Sequence, residues 1–280
     1  MAATVLHPEQ VDDFRREVEA GRLEGVLRFN PEGISLGAAI ELACWVDARR
    51  DGLDPRVGAQ LERWQRTHRA LAAALDALHG LNPCSPEDFA TPIWEIRAVP
   101  TREEFASRDS RWGLFGMRFA RSLRDVGGFA PKLARALVGV VGELVDNVLE
   151  HAAPPGCSPP PGVVGFHVVQ GAARFVIGDV GQGVLSSLRA LPRHSHLVTA
   201  REALLAVVRD HATSRSHLAQ GNGIKEVFAR LAALRGSVRF RSADAALTVE
   251  GNLRTLPIVV RGSPDLRGLQ VAVTCEPCEA

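Results

Sequence analysis

Residues 143–151 have the sequence Glu143-Leu144-Val145-Asp146-Asn147-Val148-Leu149-Glu150-His151, and this stretch decides the fold expected for the chain. Glu143, Asn147 and His151 recur at four-residue intervals, so on a helix they share one face. A carboxylate can accept a proton from water or a hydroxyl, and a carboxamide oxygen is a hard ligand suited to Mg²⁺. The spacing indicates metal-assisted phosphoryl chemistry, although the polar face of an ordinary amphipathic helix would look the same in isolation.

Two glycine-rich turns follow this stretch. A predicted strand ends at Asp179, and Gly181 and Gly183 come directly after it. Glycine lets the backbone approach a ligand closely, and a carboxylate can accept a hydrogen bond from an amino group such as that of adenine. Gly221 and Gly223 then open an apolar-periodic helix, whose N-terminus offers free N–H groups and a positive dipole end to a phosphate.

In this order, the three motifs resemble the nucleotide-binding boxes of the GHKL ATPase superfamily, which includes DNA gyrase, MutL, the histidine kinases and the anti-sigma-factor serine kinases. Residues 143–151 resemble the N box, residues 179–183 the G1 box and residues 221–223 the G2 box. The anti-sigma-factor serine kinases are the nearest in type. The resemblance covers roughly residues 120–276.

The end of the chain adds to this resemblance. Gly236 is followed by a predicted strand that ends in Ser242, as family members similarly close with a Gly and a strand ending in Ser. Residues 267–271 stand where many relatives carry a Gly-Thr pair before the last strand. These matches lie outside the three boxes and therefore add separate support.

The resemblance implies ATP and Mg²⁺ as cofactors and gives each motif residue a role. Glu143 would act as the general base, and Asn147 would hold the Mg²⁺ that bridges the triphosphate. Asp179 would select adenine through its amino group. Four glycines would make room for the base and sugar or receive the phosphates: Gly181, Gly183, Gly221 and Gly223.

Three basic residues are further candidates near the phosphates. His151 stands where relatives have a His, Lys or Arg, although a His that caps a helix C-terminus is also favourable. Residues 184–220 correspond to the ATP lid of relatives, and Arg215 within them is a candidate phosphate contact. Lys225 lies just past the G2 box. A plain exposed loop and a solvated helix face are the alternatives for Arg215 and Lys225.

The composition excludes several classes of protein. The chain has 280 residues, of which 46% are hydrophobic and 23% charged, as is typical of a globular protein. A net charge of +1 argues against a dominant nucleic-acid surface. No apolar run is long enough to span a bilayer, and the N-terminus lacks a secretory signal pattern. Five scattered cysteines fit reduced thiols, so we expect a cytoplasmic protein.

We expect an α/β protein of the α+β sandwich class with two domains, residues 1–105 and 106–280. The C-terminal domain would be a histidine-kinase-like ATP-binding domain of the two-layer Bergerat type, with a mixed sheet and helices. The smaller N-terminal domain would be a regulatory α/β unit. Residues 27–46 resemble a STAS-type domain, whose phospho-acceptor would then be Ser35; an N-cap role for Ser35 is the preferred alternative.

The local patterns predict the following elements. Helices are predicted at residues 8–20, 34–50, 61–81, 111–124, 131–151 and about 199–209. Strands are predicted at residues 26–29, 92–97, 163–169 and 174–177, the last two forming a hairpin.

Three functions compete. The chain is a regulatory GHKL protein that phosphorylates or sequesters a protein partner, such as a STAS or sigma-like regulator; or an orphan histidine kinase with His68 as acceptor; or a non-catalytic, ATP-gated binding module. The expected acidic neighbour and Pro are missing beside His68, which counts against the second. Neither nucleic acid nor a membrane is expected as a partner, and a homodimer is left open.

Overall fold

The computed structural model describes residues 5–28, 31–49, 52–81, 94–210, 212, 223–231, 234–252 and 258–277. Its helices are α1 (Pro8–Glu19), α2 (Leu23–Arg28), α3 (Leu36–Ala48), α4 (Pro55–Thr67), α5 (Arg69–Leu78), α6 (Arg102–Ala106), α7 (Arg111–Asp125), α8 (Pro131–His151), α9 (Gly183–Arg189), α10 (Ala200–Arg209) and α11 (Gly223–Leu231). Its strands are β1 (Val5–Leu6), β2 (Gly33–Ile34), β3 (Trp94–Ala98), β4 (Gly162–Val169), β5 (Ala172–Asp179), β6 (Leu234–Asn252) and β7 (Ile258–Pro277).

A five-stranded sheet organises the molecule, with the strand order β3-β4-β5-β7-β6. Strands β4 and β5 form the predicted hairpin, which pairs Gly162 with Asp179 and Val169 with Ala172. The short strands β1 and β2 form a separate parallel pair. Within the described strands, all four pairings in the large sheet are antiparallel. Strand β7 lies between β5 and β6 and runs opposite to both. The sheet is therefore antiparallel, and the expectation of a mixed sheet was wrong.

Helices cover both faces of this sheet. Side chains alternate along a strand, so Phe175 and Ile177 of β5 face the core that includes α7, α8, α10 and α11. Val176 and Val180 face the other core, which the N-terminal helices form. Glycine at position 178 lets α3 approach β5, since a Cβ there would lie 3.0 Å from Ile40 Cγ2. The α+β class is confirmed, with a second helical layer added by the N-terminal part.

The sheet crosses the predicted domain border. Strand β3 lies before residue 105, yet it pairs with β4 over five residues, from Trp94 opposite His167 to Ala98 opposite Val163. The border at 105 stays a prediction, but the N-terminal residues contribute both a strand and a helical layer to the shared core. Among the described residues, no helix combines the length and the apolar character that a membrane crossing requires.

Most predicted elements are confirmed, and three are corrected. The strand expected to end at Ser242 continues to Asn252 in β6. Residues 26–29 were predicted as a strand, but residues 23–28 form helix α2, because so short a segment does not distinguish a strand from a helical turn. The predicted helix over 61–81 is broken at His68. The Thr67 hydroxyl donates to the carbonyls of Arg63 and Trp64 at 3.0 and 3.3 Å, which competes with continuation of the helix.

Candidate functional site

Helix α8 carries the three residues of the N-box-like motif. Pro131 occupies its first turn, and its buried residues, among them Leu144, Val145 and Val148, pack into the core. Glu143, Asn147 and His151 lie on the other side and are each partly exposed. The helix therefore has the two faces that the sequence predicts, and the polar face follows from burial of the apolar one.

Asn147 holds the most informative atom of this face. Its side-chain nitrogen Nδ2 is buried and has no hydrogen-bond partner among the described residues. A buried amide nitrogen without a partner costs about 1–3 kcal/mol, so most such atoms are paired in folded proteins. Rotation of the amide exchanges its nitrogen and oxygen, so this position can present a donor or an acceptor to a ligand.

Asp179 ends β5 as predicted and is 2% exposed. Its Oδ1 accepts the Gly181 N–H at 2.8 Å, and its Oδ2 accepts the Leu269 N–H at 3.3 Å. Burial raises the pKa of this carboxyl from 3.8 to about 6, while the two backbone N–H groups oppose the shift. Asp179 therefore holds the loop that follows it against β7, and the lone pairs that remain on each oxygen are available to a further donor.

Gly181 and Gly183 are required by close packing. A Cβ at Gly181 would overlap the carbonyl oxygen of Ala152, at the end of α8. Gly183 has φ +75°, and a Cβ there would lie 2.9 Å from Ser242 Oγ. A larger residue at position 181 would push the loop away from the helix, and one at position 183 would press on Ser242.

Gln182, a variable position of the motif, and Ser242, outside it, hold this loop in place. Gln182 donates from its backbone N–H to the Ala152 carbonyl and from Nε2 to the His151 carbonyl, both at 2.9 Å. These bonds satisfy the last carbonyls of α8, which a helix otherwise leaves unpaired. Ser242 was expected to end a strand but lies within β6, where it donates to the Gly268 carbonyl at 2.9 Å and accepts the Val184 N–H at 3.1 Å. The sequence gives no signal for Gln182, because its role depends on a tertiary contact.

Gly268 closes the same corner. It has φ +85°, and a Cβ there would overlap the backbone oxygen of Asp179 and lie 2.8 Å from Asp179 Oδ1. The glycine of the Gly-Thr-like position thus lies directly against the carboxylate of the G1-like loop. The structure therefore brings these two sequence features into contact.

His151 is the last residue of α8, and its Nε2 lies 3.7 Å from a carboxylate oxygen of Glu150. A protonated His at this position is favoured by the negative end of the helix dipole. The geometry fits the capping role considered from the sequence, and a phosphate contact by His151 stays a prediction.

The glycine pair 221–223 is described only at its end. Gly223 begins α11, which packs against α8 where a Cβ at Gly139 would overlap the guanidinium of Arg230. Gly221 and Arg215 lie outside the described residues, as does the side chain of Lys225. Both the G1-like loop and the helix that follows the G2-like motif therefore contact α8.

Among the described residues, the carboxylate of Glu143 has the chemistry to accept a proton, and the amide oxygen of Asn147 has that of a ligand for a hard cation. No group of three or more His, Cys, Asp and Glu residues within the described ranges could hold a metal by itself. An amide such as that of Asn147 fits Mg²⁺ that takes most of its ligands from phosphate and water. Comparison with protein-family models gives no match, and comparison with curated proteins gives none either.

Proposed function

We propose that the chain binds ATP with Mg²⁺ and transfers phosphate to a protein partner, or sequesters that partner in an ATP-dependent way. The supporting observation is the unpartnered, buried Nδ2 of Asn147, one helical turn from Glu143. The G1-like loop contacts the end of the same helix through Gln182. A polar ligand at this corner would give the Asn147 amide the hydrogen-bond partner or metal ion that it lacks, and would explain an asparagine at this position.

Each residue of the corner has a role in this proposal. Glu143 is the general base that accepts the proton of the attacking hydroxyl or water. Asp179, held by two backbone N–H groups, accepts a hydrogen bond from the adenine amino group with an oxygen lone pair that is still free. Gly223 and the start of α11 receive phosphate, together with Gly221.

Asn147 would hold the metal. Mg²⁺ bound there would offset the charge of the triphosphate. The partly exposed position of Asn147 on α8 leaves room for the remaining ligands to come from phosphate and water.

The partner in this proposal is a protein such as a STAS or sigma-like regulator, in the cytoplasm. The N-terminal helices pack on the sheet face opposite α8. They therefore leave the partly exposed polar side of α8 open to a nucleotide, which supports a regulatory role for them. The free thiols at Cys44, Cys157 and Cys275 fit a reducing compartment. A homodimer is compatible with the proposal and is not required by it.

Titration calorimetry of Mg²⁺ and ATP into wild type and Asn147→Leu tests the binding step. Leucine has a similar size and no polar atom, so we expect unchanged or slightly higher stability to unfolding. We expect nucleotide affinity to fall by about 10–100-fold, as for loss of a metal-orienting group. Wild-type affinity in a folded Asn147→Leu variant, or no binding by wild type, would contradict the proposal.

A second experiment separates phosphate transfer from ATP gating. Glu143→Gln should keep ATP binding and lower hydrolysis or transfer by about 10²–10⁴-fold, because the base is lost. Glu150→Gln is the matched control, since Glu150 is an exposed carboxylate about two turns further along the same helix face and is not assigned the role of the base. Equal turnover by wild type and Glu143→Gln, with nucleotide still bound, would favour the non-catalytic module.

The histidine-kinase alternative receives less support. His68 lies at the junction of α4 and α5, where its backbone is extended, rather than within a long helix. Burial lowers the pKa of its imidazole. Radiolabel from ATP on His68 would nevertheless favour that alternative over a transfer to a separate partner.

A further inference from the structure

Strand β7 leaves its regular pairing with β6 partway along its length. Ser242 lies opposite Leu269 and Ala245 lies opposite Gly262, with register shifts between these pairs. Residues 263–268 of β7 therefore outnumber the residues of β6 that they face, and we call them the β7 bulge. The extra residues of a bulge are left unpaired by the ladder, so other groups must hold their backbone.

Arg15 of α1 holds the middle of this bulge. It is fully buried, and its Nη2 donates a hydrogen bond to the Asp265 carbonyl. Its Nε and Nη1 have no hydrogen-bond partner among the described residues, and Nη1 lies 3.9 Å from Oδ1 of Asp12. Burial lowers the pKa of this guanidinium from 12.5 to about 10, so the charged form is disfavoured there. An apolar side chain would pack at lower cost, and the bond to the bulge accounts for an arginine at this position.

Asp12 and Leu266 tie the bulge to the same side of the sheet. The Ser263 hydroxyl donates to Asp12 at 3.0 Å. Arg241, which donates to the other oxygen of Asp12 at 3.2 Å, also donates to the Pro264 carbonyl. The Leu266 side chain is 1% exposed and belongs to the core that the N-terminal helices form. The bulge is therefore held by α1 and its neighbours where the β-ladder does not hold it.

The far end of the bulge contacts Asp179. The β5–β7 pairing stops at Gly178 opposite Gln270. The next residue of β7, Leu269, donates its N–H to Oδ2 of Asp179 at 3.3 Å. Gly268, the last residue of the bulge, lies so close that a Cβ there would overlap the backbone oxygen of Asp179. The position of the bulge therefore decides how this carboxylate is held.

We infer that α1, through Arg15 and Asp12, positions the β7 bulge and with it the Asp179 carboxylate. Arg15 is then a positioning residue, which acts through residues 265–269. A partner or ligand that displaced α1 would loosen this carboxylate, so the N-terminal layer has a route by which to regulate the site. The link from α1 to Asp179 stands on its own geometry, and only its effect on adenine binding rests on the proposed function.

Arg15→Met tests the link in the nucleotide-free chain. Methionine fills much of the same space without a buried charge, so we expect the variant to fold. The Leu269 N–H favours the charged form of Asp179, so its displacement should raise the pKa of this carboxyl by about 0.5 or more. A titration followed by carbon-13 NMR of the side-chain carboxyls measures this pKa, and Asp179→Asn identifies the signal.

Arg16→Met is the matched control. Arg16 is also on α1, but it donates to the Gly262 carbonyl at 3.1 Å, where the pairing with β6 is regular. Its loss should leave the pKa of Asp179 unchanged. Ser263→Ala removes a milder tie from a half-buried residue and should raise that pKa by a smaller amount than Arg15→Met. If Arg15→Met does not fold, Ser263→Ala against Arg16→Met decides. An unchanged pKa in both Arg15→Met and Ser263→Ala, or an equal rise in Arg16→Met, would overturn the inference.

ATP and tripolyphosphate, each with Mg²⁺, test the effect on the site by calorimetry. Arg15→Met should raise the ATP dissociation constant by about two- to fivefold, because the adenine contact of Asp179 is displaced. Tripolyphosphate lacks adenine, so its dissociation constant should be unchanged. An equal loss for both probes, or no change for ATP, would overturn the effect on adenine binding. If wild type binds no ATP, the proposed function fails, while the titration of Asp179 still decides the link to α1.

Discussion

The two faces of the central sheet are held by different interactions. The face under α7 and α8 is largely apolar and contains stacked rings, with the Phe119 and Phe166 centroids 4.8 Å apart. Its buried ion pairs lie at the edge strand β3, where Glu95 pairs with Arg97 and with Arg118 of α7. The face under the N-terminal helices is also largely apolar but contains five buried charged residues. These are Asp12, Arg15, Glu41, Arg239 and Arg241.

Asp12 is the centre of this buried ionic cluster. Its two oxygens accept hydrogen bonds from Arg239 at 2.8 Å, Arg241 at 3.2 Å and Ser263 at 3.0 Å. Apolar packing stabilises many arrangements of helix on sheet, whereas these bonds require particular residues of α1 and β6 to meet. The comparison leads us to hypothesise that the apolar face mainly supplies stability and the ionic cluster mainly fixes how the N-terminal helices sit.

Asp12→Ala gives the largest expected effect. It leaves Arg239 and Arg241 buried without their main partner, so we expect the free energy of unfolding to fall by about 3–5 kcal/mol. Urea unfolding followed by circular dichroism measures it. Asp13→Ala is the matched control, because Asp13 is 71% exposed and should change stability by about 0.5 kcal/mol or less. Equal effects at the two positions would contradict the role of the cluster.

Leu137→Ala probes the apolar face in the same way. Leu137 is fully buried on α8, about three turns before Asn147, and its truncation leaves a cavity that should cost about 2–5 kcal/mol. Leu114→Ala on α7 is the comparison, since Leu114 is 43% exposed and should cost much less. If Leu137→Ala cost no more than Leu114→Ala, the apolar face would not be the main source of stability.

The ionic face should also make stability depend on pH. Burial raises the pKa of Glu41 from 4.5 to about 7, although Arg239 lies 3.4 Å away. The unfolded chain therefore loses this proton at lower pH than the folded one. Below about 4.5 the group has no net effect, between about 4.5 and 7 stability falls as pH rises, and above 7 the loss is complete.

Glu41→Gln should flatten this profile. Glutamine resembles the protonated carboxyl. We therefore expect the variant to have nearly the wild-type free energy of unfolding at pH 5 and to be more stable than wild type by about 1–3 kcal/mol at pH 8. Asp179, whose pKa is raised from 3.8 to about 6, should still lower stability as pH rises through that lower window in the Glu41→Gln variant. Glu9→Gln is the control, because Glu9 is half-exposed and 3.9 Å from Arg239. An identical slope in Glu41→Gln and wild type would contradict the assignment.

The sequence predicted the α8 side of the molecule more completely than the N-terminal side. Helix α8 and the β4–β5 hairpin follow from local periodicity, and the Asp179 loop follows from the spacing of its glycines. The ionic cluster could not be predicted, since Asp12 and Arg239 are 227 residues apart. Gln182 likewise acts through a contact with α8 that no local pattern reveals.

Two helix caps provide the smallest and most direct comparison of the faces. Ser35 accepts the Ala38 N–H at 3.4 Å, as the preferred interpretation of this serine predicts. Ser110 caps α7 through the Gly113 N–H at 3.2 Å and also donates to carbonyls of residues 104 and 107 at 2.6 Å. Both replacements remove a cap, but Ser110→Ala removes additional bonds.

We expect Ser35→Ala to lower the free energy of unfolding by about 0.5–1 kcal/mol and Ser110→Ala by about 1–2 kcal/mol, measured by urea unfolding. The order follows from the longer cap bond at Ser35 and the additional carbonyl contacts of Ser110. Ser35→Thr keeps a capping hydroxyl and should recover most of the loss. A Ser35→Ala variant as stable as wild type would show that the long bond contributes nothing, and phosphate incorporated at Ser35 would restore the phospho-acceptor alternative for this side of the sheet.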